Sequence, residues 1–119
     1  MTALPQNFAI TLFTLDPDRS VADYRAFSRD VIRPGMVTMP SVRGFLDYEV
    51  TDSLESDGGI QLVELIEITS PEEFNRDNEG VLGAPIAAAW SEWVSTFRVL
   101  FVRDLGISVL SRDRSIDGS

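Results

Sequence analysis

The sequence predicts one α+β domain of the ferredoxin-like type, with a four-stranded antiparallel sheet and two helices on one face, in the order β-α-β-β-α-β. Three observations lead there. The chain has 119 residues, 44% of them apolar, which suits a single hydrophobic core. Runs rich in Val, Ile, Leu and Phe alternate with two amphipathic stretches, each opened by a serine in capping position. Right-handed crossovers in two split β-α-β units then place both helices on the same side of the sheet. The opposite side stays uncovered although its strands are apolar on both faces. A second copy of the chain, packed sheet against sheet, would keep that surface dry, and so would an unrelated partner.

Phe8 to Leu15 (FAITLFTL) reads as a central strand buried on both faces. Asp16-Pro17-Asp18 breaks the run. Ser20 and Asp23 open the first helix, whose stripe is Val21, Tyr24, Phe27 and Val31 and which should stop before Pro34-Gly35. Met36 to Met39 reads as an irregular turn. Val42 to Thr51 reads as a half-buried strand with Val42, Leu46, Tyr48 and Val50 opposite Arg43, Asp47 and Glu49; Phe45 falls on the polar side as an exception. Asp57-Gly58 marks a hairpin turn, and Ile60 to Thr69 is the clearest strand. Ser70-Pro71-Glu72-Glu73 starts a helix, interrupted around Gly80 and Gly83 and resumed at Ala84-Pro85 with Ile86, Ala89, Trp90, Trp93 and Phe97 on one stripe. Val99 to Val102 forms the last strand. The domain is expected to span residues 1–110, followed by a polar, disordered tail over 111–119.

The missing residue types limit the chemistry more sharply than the charge does. With no cysteine there is no disulfide or thiolate; with no histidine there is no imidazole base and no usual zinc or haem ligand. All ten basic residues are arginine, so no Schiff base forms on this chain. Proton transfer falls to Asp, Glu, Tyr, substrate or water. A net charge of −9 argues against nucleic acid and anionic membrane surfaces as partners. No apolar run is long enough to cross a membrane, and Met1 to Phe8 lacks the marks of a signal peptide, so a cytoplasmic protein is expected. Phosphate loops, metal-spaced carboxylates and nucleophile elbows are absent, and no metal is expected.

Glu64 and Glu67 lie in the best strand at a spacing that puts them on opposite faces. The inward one would be a costly buried carboxylate whose pKa rises into the range of a general acid or base; the alternative is an ion pair with Arg43 or Arg103. Asp30 sits at the edge of the first helix's stripe near its C-terminal end, where a negative charge opposes the dipole, so it is a second catalytic candidate; a salt bridge with Arg29 or Arg33 competes with that role. Trp90 and Trp93 beside Ala87 to Ala89 would leave room for a planar ligand or simply fill the core. Tyr24 and Tyr48 are candidates to orient a substrate. Asp77 is expected to face water.

Tyr24 to Asp30 (YRAFSRD), Pro40-Ser41-Val42 leading into a strand, and Leu62 to Asp77 (LVELIEITSPEEFNRD), with the helix around Trp90, together resemble the RedY-like proteins, a branch of the dimeric α+β barrel superfamily. The resemblance spans about four-fifths of the chain. It implies a homodimer with one cavity per protomer between sheet and helices. It also implies cofactor-free action on reactive pyrrole or indole intermediates, with Asp30, Glu64 and Asp77 as the acidic candidates; Tyr24, Phe27, Tyr48 and Trp90 are the residues expected to contact a small aromatic substrate. Many members of the wider superfamily use a histidine, and this chain has none. Three functions follow in order: a cofactor-independent cyclase or condensing enzyme of specialised metabolism, a cofactor-free monooxygenase, and a non-catalytic binding or dimerisation module.

Overall fold

The computed structural model describes residues 6–54 and 59–106. The chain runs through β1 (Asn7–Leu15), α1 (Val21–Phe27), a π-helical segment (Ser28–Ile32), α2 (Arg33–Met36), β2 (Val42–Glu49), β3 (Leu62–Ile68), α3 (Pro71–Glu79), α4 (Gly83–Ser91) and β4 (Val94–Arg103). The strands form one antiparallel sheet in the order β2-β3-β1-β4, the ferredoxin-like α+β arrangement that the sequence predicts. The Asp57-Gly58 turn and the 111–119 tail lie outside the described residues. Among the described residues no helix is long and apolar enough to cross a membrane.

Strand alternation builds the core. Ala9, Thr11, Phe13 and Leu15 of β1 and Leu62, Glu64, Ile66 and Ile68 of β3 all point to the helices and are buried. Against them pack Tyr24, Ile32, Met36, Met39 and Phe74, with Phe27, Ile86 and Trp90 partly buried at the margin. The helix caps behave as read: Ser20 accepts from the Asp23 N–H and Ser70 from the Glu73 N–H, each at 3.1 Å. The other face of β1 is only half-buried, because no described element covers Phe8, Ile10 and Leu12. The expectation of a strand buried on both sides therefore does not hold within one protomer.

Three further expectations are corrected. The first helix does not stop before Pro34-Gly35; it continues to Met36 through the π-helical segment, where the Arg33 N–H bonds to the Ser28 carbonyl. A proline in an α-helix collides with the carbonyl four residues back, and widening the preceding turn relieves that clash. The same widening rotates the helix face. Ser28 and Ile32 become buried while Val31, placed on the apolar stripe by its spacing, is 43% exposed. In β2, an extra residue between Val42 and Gly44 shifts the register against β3. Phe45 thereby faces the core, and Leu46 and Tyr48 turn to the uncovered side. Finally, β4 begins at Val94 rather than Val99, so Phe97 belongs to the strand and not to the tryptophan helix.

Two close approaches lock α3 to the sheet and α4 to α3. Asp77, expected in water, instead accepts a hydrogen bond from the Ser41 N–H at 2.9 Å, tying α3 to the start of β2. At Gly83 a Cβ would lie 2.3 Å from the Asp77 carbonyl oxygen and 2.5 Å from the Asn78 Cα. Those atoms are backbone and cannot give way. Gly83→Ala should therefore lower stability by roughly 2–3 kcal/mol, seen as a lower urea midpoint at unchanged slope. Gly44→Ala, whose Cβ would meet Glu67 at an ordinary 3.6 Å, should stay within about 1 kcal/mol of the parent.

Candidate active site

The site forms where the inner face of β3 meets the first helix. Position 64 falls between Leu62 and Ile66 on the inward row, so β3 carries a carboxylate into an apolar interior, and Glu64 is 4% exposed. Glu67 stands on the opposite face, as its spacing requires, and accepts from the Gln6 side chain. Neither Arg43 nor Arg103 reaches Glu64: among the described residues its partners are Tyr24 and Asp47. The ion-pair expectation is thus replaced by a network without a cation in contact.

The protons of this network can be assigned from donor chemistry. The indole Nε1–H of Trp90 donates to the Tyr24 hydroxyl at 3.0 Å. An indole nitrogen only donates, so the Tyr24 proton points the other way, to Glu64 Oε2 at 2.6 Å. Asp47 lies opposite Glu64 in the β2-β3 register, on the same face, and hydrogen-bonds to it. Two carboxyl groups bond to each other only through a shared proton. Ser28, delivered by the π-helical segment, donates its hydroxyl to Asp47 Oδ2.

Burial is the main force on the titration. It pushes the Glu64 carboxyl up to about 8, and the neighbouring Asp47 charge adds to the rise, while the Tyr24 hydrogen bond opposes it. Asp47 is also raised by desolvation, against the hydrogen bonds of Ser28 and Glu64 and the charge of Arg33. The Tyr24 hydroxyl is pushed up by burial and by the Glu64 charge, so it stays protonated. Glu64 is the neutral member of the pair at pH 7.

Glu64 opens into a cavity of about 320 Å³ between the sheet and the helices. Its walls are mainly Ile32, Met36, Ile66, Phe74, Ile86, Trp90, Phe97 and Val99, and Glu64 is the only ionisable group among them. Thr11, Asn78 and Ser91 supply hydroxyl and amide groups. Phe97 and Val99 come from edge strand β4, whose inner side the helices leave 58% and 42% exposed at these residues. A second, more polar hollow of about 470 Å³ lies beyond Tyr24, between the first helix and β2, and Asp47 opens onto it.

The other predicted site residues separate by position. Trp90 lines the cavity and Tyr24 forms the wall behind Glu64. Phe27 stacks on Trp93 at 4.5 Å and meets Tyr24 edge-on at 5.9 Å, outside both linings. Tyr48 borders the second hollow. Asp30 projects into solvent in an ion pair with Arg29 at 2.8 Å, which holds its carboxyl below the usual range, and it borders neither hollow. Sequence reasoning missed Asp47 and Ser28. Gly44 was the available signal, since a glycine inside a strand marks a bulge, and the bulge turns Asp47 inward. Among the described residues no group of three or more acidic side chains could hold a metal.

A four-stranded antiparallel sheet with an apolar cavity and one buried carboxyl beneath its helices marks a small α+β protein of the ferredoxin-like class. The chain belongs to the family of the REDY-like protein HapK, whose model matches residues 7–105. Among solved structures it is similar to HapK from Hahella chejuensis, with 22% identity, a TM-score of 0.72, and coverage of 87% of this chain and 97% of that one. The hydroxynitrile lyase from Passiflora edulis matches with 10% identity and a TM-score of 0.69, over 82% of this chain and 92% of that one. A dimeric protein of unknown function from Bacteroides fragilis matches with 11% identity and a TM-score of 0.61, over 82% and 94%. At these identities the structural matches establish the fold. No curated protein sequence is significantly similar to the chain.

Stability should follow the Glu64–Asp47 pair. Both carboxyls bind a proton more tightly folded than unfolded, so the stability they contribute is full below their unfolded values of 3.8 and 4.5 and is lost as pH rises from there towards about 8. The slope should approach about 1.4 kcal/mol per pH unit, which is several degrees in melting temperature. Glu64→Gln should flatten the melting temperature between pH 5 and pH 8, as read by circular dichroism.

Proposed function

We propose that the protein is a cofactor-independent biosynthetic enzyme of the cyclase or condensation type, acting on a reactive aromatic, pyrrole/indole or polyketide intermediate. The observation that carries this reading is Glu64, a carboxyl kept neutral at pH 7 and presented to a cavity whose walls are otherwise apolar. The cavity volume is at the low end for small-molecule sites and suits a flat bicyclic or tricyclic skeleton. Trp90 and Phe97, with ring centroids 5.2 Å apart, offer two aromatic surfaces to such a ring system.

In this mechanism Glu64 protonates a carbonyl or hydroxyl oxygen of the substrate while the new ring bond forms to the activated carbon. A protonated hydroxyl leaves as water, its C–O bond breaking as the ring bond forms, whereas a protonated carbonyl stays on the product as a hydroxyl. In either case the Glu64 carboxylate then removes the ring proton, which restores conjugation and returns the acid. Tyr24 holds the acid in place and steadies the carboxylate when it forms. Confinement in the cavity supplies the rest of the acceleration, and a substrate already reactive needs little more. The non-catalytic alternative called for an ion-paired Glu64 and no cavity. Neither condition describes this site.

Two experiments test the reading. With pyrrole, indole or polyketide intermediates from the gene neighbourhood as substrates, Glu64→Gln should slow product formation about 10²-fold or more. Asp30→Asn should leave it within about twofold, as expected for an exposed ion pair. The parent rate should fall as pH rises through about 8, where the acid form is lost. An unchanged product distribution in the Glu64 variant, or stoichiometric oxygen uptake with a phenolic or hydroquinone substrate, would overturn the cyclase reading in favour of a binding module or a monooxygenase respectively.

The assembly we infer is a homodimer. The uncovered face carries Leu46, Tyr48, Leu100 and Val102 at 38–51% exposure, beside half-buried Ile10, Leu12, Val63 and Leu65. Two similar structures, from Bacteroides fragilis and Thermobifida fusca, are described as dimeric. Sedimentation should give twice the protomer mass of 13.2 kDa, and Leu100→Arg should give a folded monomer. A parent monomer at micromolar concentration would contradict this assembly.

A further inference from the structure

Glu64 and Asp47 stand in the partition between two hollows that do not share a lining residue. On one side is the apolar cavity, where Glu64 is the sole ionisable group. On the other is the polar groove, bordered by Tyr24, Ser28, Arg33 and Asp47 among others. The two carboxyls are register partners on adjacent strands and hydrogen-bond across the partition. An acid in a dry cavity has a supply problem. Once substrate fills the cavity, water no longer reaches Glu64 from that side, and an acid that is ionised when substrate arrives has to take up its proton by another route.

We propose that Asp47 is that route: a positioning residue that acts through Glu64, carrying protons between the groove and the cavity so that the acid is reset without the cavity opening. The inference rests on the proposed role of Glu64. In the resting state the shared proton sits on Glu64, and Asp47 is the ionised partner, favoured by the Ser28 hydroxyl and by Arg33. When Glu64 is ionised beneath a bound substrate, two facing carboxylates remain. Their repulsion draws a proton from groove water onto Asp47, and it then passes along the shared bond to Glu64. The same bonds carry a surplus proton outwards in reverse, so neither carboxyl is consumed.

The groups facing the pair fit this direction of flow. From the first helix come Tyr24, held protonated, and Arg25; the π-helical segment gives Ser28 and Arg29, the latter engaged by Asp30; α2 gives Arg33. From β2 comes Glu49 beside Asp47. Charge is thus concentrated on the groove side. From the cavity side only Thr11 of β1 and Trp90 of α4 approach, and neither ionises.

The test needs no substrate. The Trp90 indole N–H reaches Glu64 through Tyr24, so its NMR signal, assigned with Trp90→Phe, should report the pair's titration. Asp47→Asn should lower the midpoint by about one pH unit or more, because the like charge is gone. A pH jump followed in the infrared carbonyl band of the Glu64 acid, identified by its loss in Glu64→Gln, then measures delivery. With indole at saturating concentration as cavity filler, Asp47→Asn should slow reprotonation about tenfold, and Asp47→Glu should restore it. Ser28→Ala offers a milder perturbation of the same carboxylate should Asp47→Asn melt early. An unmoved midpoint, or reprotonation as fast in Asp47→Asn as in the parent, overturns the relay. Because none of these readouts involves turnover, failure of the enzyme reading would appear separately, in the Glu64→Gln rates.

Discussion

The site depends on a carboxyl held inside a sheet by another carboxyl. Placing a charged glutamate between Leu62 and Ile66 would be heavily penalised by desolvation, and an arginine partner would neutralise its chemistry along with its charge. This chain uses neither. A proton held in common with Asp47, a tyrosine donor fixed by an indole, and a serine hydroxyl on Asp47 satisfy the polar atoms and leave a net acid. Several elements of the fold combine in that arrangement. The β2 bulge turns Asp47 inward, the π-helical segment brings Ser28, and α4 brings Trp90.

The helix layer is narrower than the sheet. It covers β2, β3 and β1 and leaves the inner side of β4 open, so Phe97, Val99 and Phe101 project past the last helix. The cavity therefore lies under the helices but is walled by the edge strand. Access to the cavity and assembly state meet at β4: whatever covers this strand in solution also sets how closed the cavity is.

Much of the fold was legible because composition and periodicity agreed locally. The β-branched and aromatic run of β1, the alternation of β3 and the Ser-Pro-Glu-Glu start of α3 each carry one meaning. Glu64 could be found by the same logic, as the single carboxylate on an inward row. The misread parts share a physical cause. Face assignments propagate along an element, so one surplus residue inverts everything after it. In β2, Phe45 looked like an exception to an alternating pattern; it was the first residue after the register shift. In β4, Phe97 continued the spacing of Trp90 and Trp93 by coincidence, which extended the helix on paper into the strand. Asp30 drew attention through the dipole argument, but the local Arg29 pair answers it on the surface. Asp47 was hidden because its importance exists only across strands, in register with a residue 17 positions later in the chain.

The π-helical segment has a consequence for how this helix can be read at all. Tyr24, Ser28, Ile32 and Met36 are all buried, at a constant spacing of four. An ordinary helix advances about 40° too far at each such step, so over three steps the last residue would drift by about 120° and leave the core. One overwide turn winds the drift back, and a row of every fourth residue lies straight against the sheet. The helix thereby works as a rack with one tooth to the turn, and its polar tooth, Ser28, meets the acid pair because the apolar ones on either side hold the pitch.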